Sequence, residues 1–359
     1  MRLVGWRGEP ATRRHPTLDD VAAAAGVSRA TVSNAYNRPD QLSAALRGEI
    51  LRVARRLGYP GPHPVARSLA ARRSGALAFL LDASVSTAFC DPALSITLDA
   101  LATAVAPDAL LLVPGGAAAP AQLREAHVDC AVAYSLPDRA PVLRAVRERG
   151  LPLVVLDGPA RRGATLVRTD DRAGAAAAAR HVVELGHRDV TVLGTPLSAG
   201  NLGGPVDLRQ ALASRYRVDR ERYAGYREVL AGAGIEPAVW VAAGISRPAA
   251  ARTAAALLTT GARPTAVLCL SDELAAGVLD AARRLGLRVP DQLTVVGFDD
   301  TPTAGSADPA LSTVRQDLTA KGRLASGLAA ELRAGRHPHQ PAPLPVTLVV
   351  RDSSAAPPR

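Results

Sequence analysis

Three cysteines, one methionine, one lysine and an aromatic fraction of 3% are all that a chain of 359 residues carries of these types. Cys90, Cys130 and Cys269 stand far apart and form no C-x-x-C pair, which excludes a disulfide framework and a thiol-redox motif and fits reduced thiols. No run of about 18 apolar residues is present, so no membrane span is expected. The opening stretch "MRLVGWRGEPATRRHP" lacks the apolar segment of a secretory signal, and a cytoplasmic location follows as the expectation. There is no G-x-S-x-G elbow and no H-E-x-x-H. The seven histidines are scattered, and His337 and His339 stand among prolines as in a loop. No catalytic residue, metal site or cofactor is therefore expected, and the chain reads as something other than an enzyme.

What the chain does have is arginine, unevenly placed. Residues 1–75 hold thirteen arginines against five acidic residues, which puts most of the formal +10 into about a fifth of the length. Such a concentration suits phosphate binding, whereas the near-neutral remainder suits a soluble ligand-binding body. The preference for arginine over lysine says nothing about DNA by itself. A hydrophobic content of 48% and this length allow two or three domains with sizeable cores.

Within the basic part, "TLDDVAAAAGVSRATVSNAYN" has helical spacing twice over. Leu18, Val21, Ala22 and Ala25 fall on one stripe, with Thr17 as N-cap, Asp19 and Asp20 at the positive end of the helix dipole, and Gly26 as the stop. Ser28 caps a second helix in which Val32, Ala35 and Tyr36 face inward and Arg29, Ala30, Ser33, Asn34 and Asn37 face out. Two short helices joined by a glycine-containing turn form a helix-turn-helix, whose second helix can enter a DNA major groove. The alternative is a plain alanine-rich hairpin. Ser43 caps a third helix with Leu46, Ile50, Val53, Ala54 and Leu57 at helical spacing. The prolines of "GYPGPHPVARSLAARRSG" make 61–64 a linker, and 65–71 is a helix too short to be stable alone.

Beyond Gly75, short apolar runs alternate with helical segments. Strands are expected at 76–81, 109–113, 130–134, 153–156, 190–193, 266–270, 293–297 and 346–350, and helices at 173–185, 222–233, 248–260, 273–285 and 319–334. Near-continuous apolar strands alternating with helices imply parallel sheets covered on both faces. Ligands bind beyond the carboxyl ends of such strands. Asp157 follows "LVVL", Ser271 and Asp272 follow "VLCL", and Asp299 follows "TVVGF"; each can hydrogen-bond a small ligand. Asp299 and Asp300 could instead cap a turn, and Asp272 reads better as the cap of the helix from Glu273. Asp170 and Asp171 read as charges at a helix N-terminus. "GTPLSAGNLGGP" lacks the order of a phosphate loop, and 195–219 reads as a loop near the cleft with a helical turn around 208–214.

The blocks T-L-x-D-V-A, A-G-V-S-x-x-T-V-S, L-G-Y and A-R-S-L, in order, resemble the amino-terminal module of the LacI/GalR family of bacterial transcription regulators, and the resemblance runs from about Thr17 to Arg351. It implies an α/β fold: an N-terminal helix-turn-helix DNA-binding domain plus hinge helix, then a two-lobed periplasmic-binding-protein-like core of parallel sheets flanked by helices. The domains expected are a flexible extension 1–16, the helix-turn-helix domain 17–60, hinge linker and helix 61–74, the core 75–352 and a flexible tail 353–359. Within the core, one lobe takes about 75–168 and 314–337 and the other about 169–313 and 338–352, with crossings near Thr169, Thr313 and Pro338.

The resemblance also implies roles. Arg29 and Asn34 read base edges, Ala30 offers a methyl, and Thr17, Ser28 and Thr31 hold phosphates, with Asn37, Arg47 and Tyr59 completing the surface. Leu69 wedges into the minor groove with Arg67 beside it, or else packs between two hinge helices. Leu46-Arg47 replaces the family's Thr-Arg and removes one phosphate contact. The effector pocket takes Asp157, Arg222, Ser271 and Asp299; Arg222 competes with Arg217 and Arg220, a solvated surface being the alternative. Phe89 either stacks on the ligand or joins the core. The function implied is a repressor that binds a palindromic operator as a homodimer or higher oligomer, controlled by a small effector, a sugar first and a nucleobase second. The alternative is a cytosolic small-molecule-binding protein with little or no DNA function.

Overall fold

A computed structural model describes residues 15–61, 73–197, 202–259 and 263–358. The chain divides into two units, residues 1–74 and 75–359. In the first, α1 (Leu18–Ala25), α2 (Arg29–Asn37) and α3 (Ala44–Leu57) follow one another, with a 3-10 turn at Pro39–Gln41 before the third. Each start is capped by a side chain. Thr17 and Asp20 form a reciprocal capping box, Ser28 accepts from the Thr31 amide, and Ser43 accepts from the Leu46 amide. Val21, Ala22, Val32, Ala35, Ile50, Val53 and Ala54 form the core, as the spacing predicts. Leu57 differs: at the last turn of α3 it is 38% exposed. The hinge helix expected over 65–71, with Arg67 and Leu69, lies outside the described residues.

The second unit is built on two sheets. β1 (Ala76–Leu80), β2 (Ala109–Val113), β3 (Cys130–Tyr134), β4 (Leu153–Leu156) and β5 (Ala164–Val167) form a parallel five-stranded sheet in the order β2-β1-β3-β4-β5. Helices α4 (Val85–Phe89), α5 (Pro92–Val105), α6 (Ala119–Glu125) and α7 (Val142–Glu148) connect these strands. The connections to the other sheet run through α8 (Asp171–Glu184) and β6 (Val190–Gly194). There follow β7 (Gly204–Val206), α9 (Leu208–Leu212), α10 (Arg217–Gly232), β8 (Ala238–Val241), α11 (Arg247–Thr259), β9 (Ala266–Cys269), α12 (Asp272–Arg284), β10 (Thr294–Asp299), α13 (Pro302–Ser306) and β11 (Ser312–Gln316). Helix α14 (Leu318–Arg333) returns to the first sheet, and β12 (Val346–Val349) closes the second. The seven-stranded order is β12-β11-β10-β9-β6-β8-β7, parallel except for the two antiparallel edge strands β7 and β12. Apolar side chains cover both faces of the first sheet and fill the second.

The crossings between lobes correct two expectations. Thr313 sits inside β11, paired to Val349, so the chain leaves that sheet only after Gln316. After α14 it stays beside the first sheet past Pro338, because the Gln340 side chain bonds both backbone groups of Leu166, and it crosses near Leu344, which bridges Thr169. The tail also departs from expectation. Ser353 is fully buried, donating to Val295 O and accepting from Ser312 N, and Ala355 O accepts from Thr294 and His187. Hydrogen bonds to the buried starts of the interior strands β10 and β11 hold 353–355 in place.

One glycine decides how the second lobe is assembled. A Cβ on Gly225 of α10 would collide with the Arg172 carbonyl and lie 2.9 Å from the Ala175 Cβ of α8. Only glycine lets these two helices approach so closely, and their contact brings Arg222 to Asp171. Gly225→Ala is expected to destabilise the protein by about 1–3 kcal/mol through overpacking, measured by urea denaturation; a change within about 0.5 kcal/mol, typical of a surface site, would contradict the close approach.

Candidate functional site

Two surfaces carry the predicted residues. On the helix-turn-helix, Arg29 stands at the start of α2 with its side chain 72% exposed, 3.4 Å from Asp19. An exposed pair of this kind contributes about 0–1 kcal/mol, so the guanidinium is free to exchange Asp19 for a phosphate or a base edge. Asn34 donates to Gln41 at 3.3 Å and Asn37 to Ser33 at 3.1 Å, both exposed and equally exchangeable. Ala30 is exposed beside them. The hydroxyls of Thr17, Ser28 and Thr31 are engaged in caps: Thr17 Oγ1 donates to Asp20 at 2.8 Å, and those of Ser28 and Thr31 pair at 2.8 Å. Arg47 Nε donates to Ala35 O at 3.1 Å, which fastens α3 to α2. Tyr59 meets Tyr36 edge to face with centroids 6.0 Å apart, so its ring supports the small core.

The second surface lies between the lobes, beyond the carboxyl ends of both sheets. Four non-glycine residues among those described have left-handed φ: Ser135 (43°), Asp157 (55°), Asp299 (117°) and Asp300 (54°). All four are at or directly after the carboxyl ends of β3, β4 and β10. Backbone conformations of this kind cluster where the surroundings over-determine them, at ligand sites above all.

Arg222 forms the centre. Its side chain is buried, which rules out the solvated alternative, and it lies in the second turn of α10 rather than at a helix start. Nε donates to Asp171 Oδ1 at 3.0 Å, Nη1 donates to Leu270 O and lies 3.4 Å from Asp299 Oδ1, and the guanidinium carbon stacks 3.6 Å over the Phe298 ring. Burial alone would lower the pKa of Arg222, but Asp299 and Asp171 hold its proton and the net direction is upward. Burial pushes Asp299 well above the usual carboxylate range, with Arg222 opposing and Asp272 and Asp91 adding. Asp171, expected to serve only the helix dipole, is a buried partner of Arg222; Asp170 is the cap, accepting from Ala173 N.

Asp272 is likewise corrected. Ser271 caps α12 by accepting from Leu274 N, while the buried Asp272 carboxylate receives Thr301 N at 2.7 Å and both the Thr301 and Thr313 hydroxyls. Ser271 is thus placed at the strand end with its hydroxyl committed to the cap. Phe89, 65% exposed at the end of α4, is no core residue. Asp157 pairs with Lys321 at 2.5 Å. Across the rim, Asp82 receives the Tyr216 hydroxyl at 2.6 Å and lies 3.2 Å from Arg215, and Asp138 lies 3.1 Å from Arg220. These contacts join the two lobes. The 195–219 segment is more ordered than a loop where described, since it contains β7 and α9, and Asp219 ties Thr195 to Ser214. Residues 198–201 lie outside the described part.

Sequence reasoning missed Asp171, Gln316, Lys321, Asp91 and Tyr134 as members of this region. Asp91 caps α5, and burial raises its pKa against the pull of the Leu94 and Ala93 amides; burial raises Tyr134 with Asp91, Asp157 and Asp299 adding. Among the described residues no group of three or more His, Cys, Asp or Glu is placed to hold a metal, and no helix is long and apolar enough to cross a membrane.

Burial pushes the Asp272 carboxyl up to about 7 against the pull of its hydroxyl and amide donors. A carboxyl whose folded pKa exceeds its unfolded value stabilises the fold at low pH, and that contribution is lost as pH rises from about 4 through about 7. Urea midpoints of the wild type should fall across this range. Asp272→Asn should be less stable overall with a flatter slope, and an unchanged slope would contradict the assignment.

Residues 17–61 match the model for bacterial regulatory proteins of the lacI family, and residues 179–354 match the periplasmic binding protein-like domain. The HTH-type transcriptional regulator IpsA of Corynebacterium glutamicum is 39% identical over 324 residues, covering 86% of this chain and 89% of that protein. A lac repressor dimer bound to operator and the anti-inducer ONPF is similar with a TM-score of 0.78 at 25% identity, covering 96% of this chain and 100% of that one. A complex of the transcriptional regulator CelR with cellobiose gives 0.67 at 26% identity, covering 94% and 99%. Helix-turn-helix, two-lobed parallel core and these relatives agree: the chain belongs to the LacI family of bacterial transcriptional regulators, which are DNA-binding proteins and not enzymes.

Proposed function

We propose that the protein is a cytoplasmic repressor that binds a nearly palindromic operator as a homodimer and releases or tightens on it when a small neutral effector, a sugar in the first instance, occupies the cleft between the lobes. The buried polar centre around Arg222 carries this reading. Fixed donors and acceptors on Arg222, Asp299, Ser271 and Asp157 suit the hydroxyls of a sugar, and exposed Phe89 offers an apolar face. The cellobiose carried by the CelR complex and the operator carried by the lac repressor dimer support the two ligand classes.

On the operator, Arg29 and Asn34 reach base edges, Ala30 offers its methyl, and Asn37 lies along the same face. Thr17, Ser28 and Thr31 meet phosphates at the helix starts, and Arg47 and Tyr59 support that surface. Leu69 wedges into the minor groove with Arg67 beside it. Effector binding changes the angle between the lobes and with it the spacing of paired hinge helices, each too short to persist alone.

Selection from a random double-stranded library should recover a palindrome of roughly 14 to 20 base pairs with a steep salt slope. Arg29→Ala should weaken the selected site about 10–100-fold, or about 1–3 kcal/mol, and relax one position of each half-site. Weak binding without sequence preference by the wild type would contradict the operator reading. Leu69→Ala should lower operator affinity and DNA bending in a fluorescence assay; unchanged bending would remove the wedge role.

A further inference from the structure

Lys321 is the one lysine of the chain, and 1% of its surface is exposed. It lies in the first turns of α14, the helix that returns to the five-stranded lobe. A buried ammonium has to be compensated within hydrogen-bond distance, and here the partners face the cleft. Nζ donates to Asp157 Oδ2 at 2.5 Å and to Gln316 Oε1 at 2.6 Å.

An ammonium offers only donors, so the Gln316 oxygen must face it and the amide nitrogen must face away. That nitrogen donates to Asp299 Oδ1 at 2.6 Å, and the same carboxylate oxygen lies 3.4 Å from Arg222 Nη1. Gln316 Oε1 also accepts from Thr169 Oγ1 at 3.3 Å. The amide therefore touches two of the three lobe crossings, and three consecutive polar contacts run from Asp157 in one lobe to Asp299 in the other. At Asp157 there is a second consequence. Lys321 occupies one carboxylate oxygen, while the other, Oδ1, is buried with no hydrogen-bond partner.

We infer that Lys321 is a positioning residue of the effector cleft: it presents Asp157 Oδ1 as an acceptor for a ligand hydroxyl and ties that contact, through Gln316, to Asp299 and Arg222 of the opposite lobe. This rests on the reading of the cleft as the effector site. Lys321 acts through Asp157 and Gln316 and does not itself touch the ligand. An apolar side chain of similar length would preserve the shape of the cleft while leaving Asp157 without its counter-charge and the Gln316 amide free to turn over. The coupling would be lost although the packing remained.

The test uses the full-length protein with Cys90→Ser and nitroxide labels on cysteines introduced at exposed Gln122 and Glu236, one on each lobe. Cys130 and Cys269 are buried and stay unlabelled. With labelled chains diluted in an excess of unlabelled chains, so that only distances within one protomer are read, pulsed dipolar spectroscopy without ligand should give one narrow distance for the parent. Lys321→Met should broaden or shift it by several ångströms. Asp157→Asn with Lys321→Met should do the same, and this double variant removes the unpaired buried charge that could prevent the single variant from folding. Parent-like distances in the double variant would overturn the coupling role.

Ribose, glucose and cellobiose serve as neutral probes in thermal-shift titrations. A probe that stabilises the parent should bind the double variant at least tenfold more weakly, whereas equal binding would overturn the recognition role. If no probe binds the parent, the sugar reading of the cleft falls together with that role. The distances decide the coupling independently of that outcome.

Discussion

A guanidinium out of water is the constraint around which the second unit is arranged. Removing one partner from a buried ion pair typically costs about 3–5 kcal/mol, so Arg222 is tolerable only with its whole surrounding in place. Asp171 has to begin α8 next to the first lobe crossing, Asp299 has to end β10 with a left-handed backbone, and Phe298 has to lie flat beneath the charge. Gly225 in turn has to let α10 settle onto α8. Sheet order, helix contact and strained strand end thus converge on one side chain. The donors and acceptors of the cleft are fixed by the fold itself, which under the proposed function would limit the ordering cost of binding a polar ligand.

The DNA-facing unit is organised on the opposite principle. Its contacts are exposed and individually weak, as with Arg29 and Asp19, Asn34 and Gln41, or Asn37 and Ser33. Exposed pairs of this kind contribute little to the fold, and under the proposed function they would give way to phosphates and bases, whose attraction depends on salt. What is rigid is the frame beneath: the Thr17 and Ser28 caps, the Val32 and Ile50 core, and the Arg47 bond to Ala35 O. Arg47 and Tyr59 belong to that frame, the first through its bond to Ala35 O and the second through its ring contact with Tyr36.

How far the sequence could be read depended on whether the signal was local. Strands 109–113, 130–134 and 153–156 are near-continuous apolar runs and lie where the pattern puts them. Four of the described strands were not legible in the sequence: Ser312–Gln316 is mostly polar, Gly204–Val206 is three residues long with a proline, and Ala164–Val167 and Ala238–Val241 are runs of only four residues. Caps at Thr17, Ser28 and Ser43 are short-range and were readable. At Asp272 the same logic failed, because its partners Thr301 and Thr313 lie 29 and 41 residues away and only the fold brings them together. Arg222 and Asp171, 51 residues apart, and Lys321 and Asp157, 164 apart, are the same case. Strand-end chemistry pointed to Asp157, Ser271 and Asp299, and the helix motif to Arg222. The charges that balance them carried no local mark, apart from the fact that Lys321 has no other lysine for company.

The most direct measurement is operator binding by Arg222→Met combined with Asp171→Asn, which removes the buried carboxylate left without Arg222 as its partner, across a library of neutral sugars and polyols, beside the wild type, using the operator recovered by selection. If the buried guanidinium organises the effector cleft and leaves the DNA-facing unit untouched, the variant will bind operator with wild-type affinity and will no longer respond to the compound that shifts the wild type. A variant that responds at the same concentration would show that the effector is recognised elsewhere and that Arg222 serves only the fold.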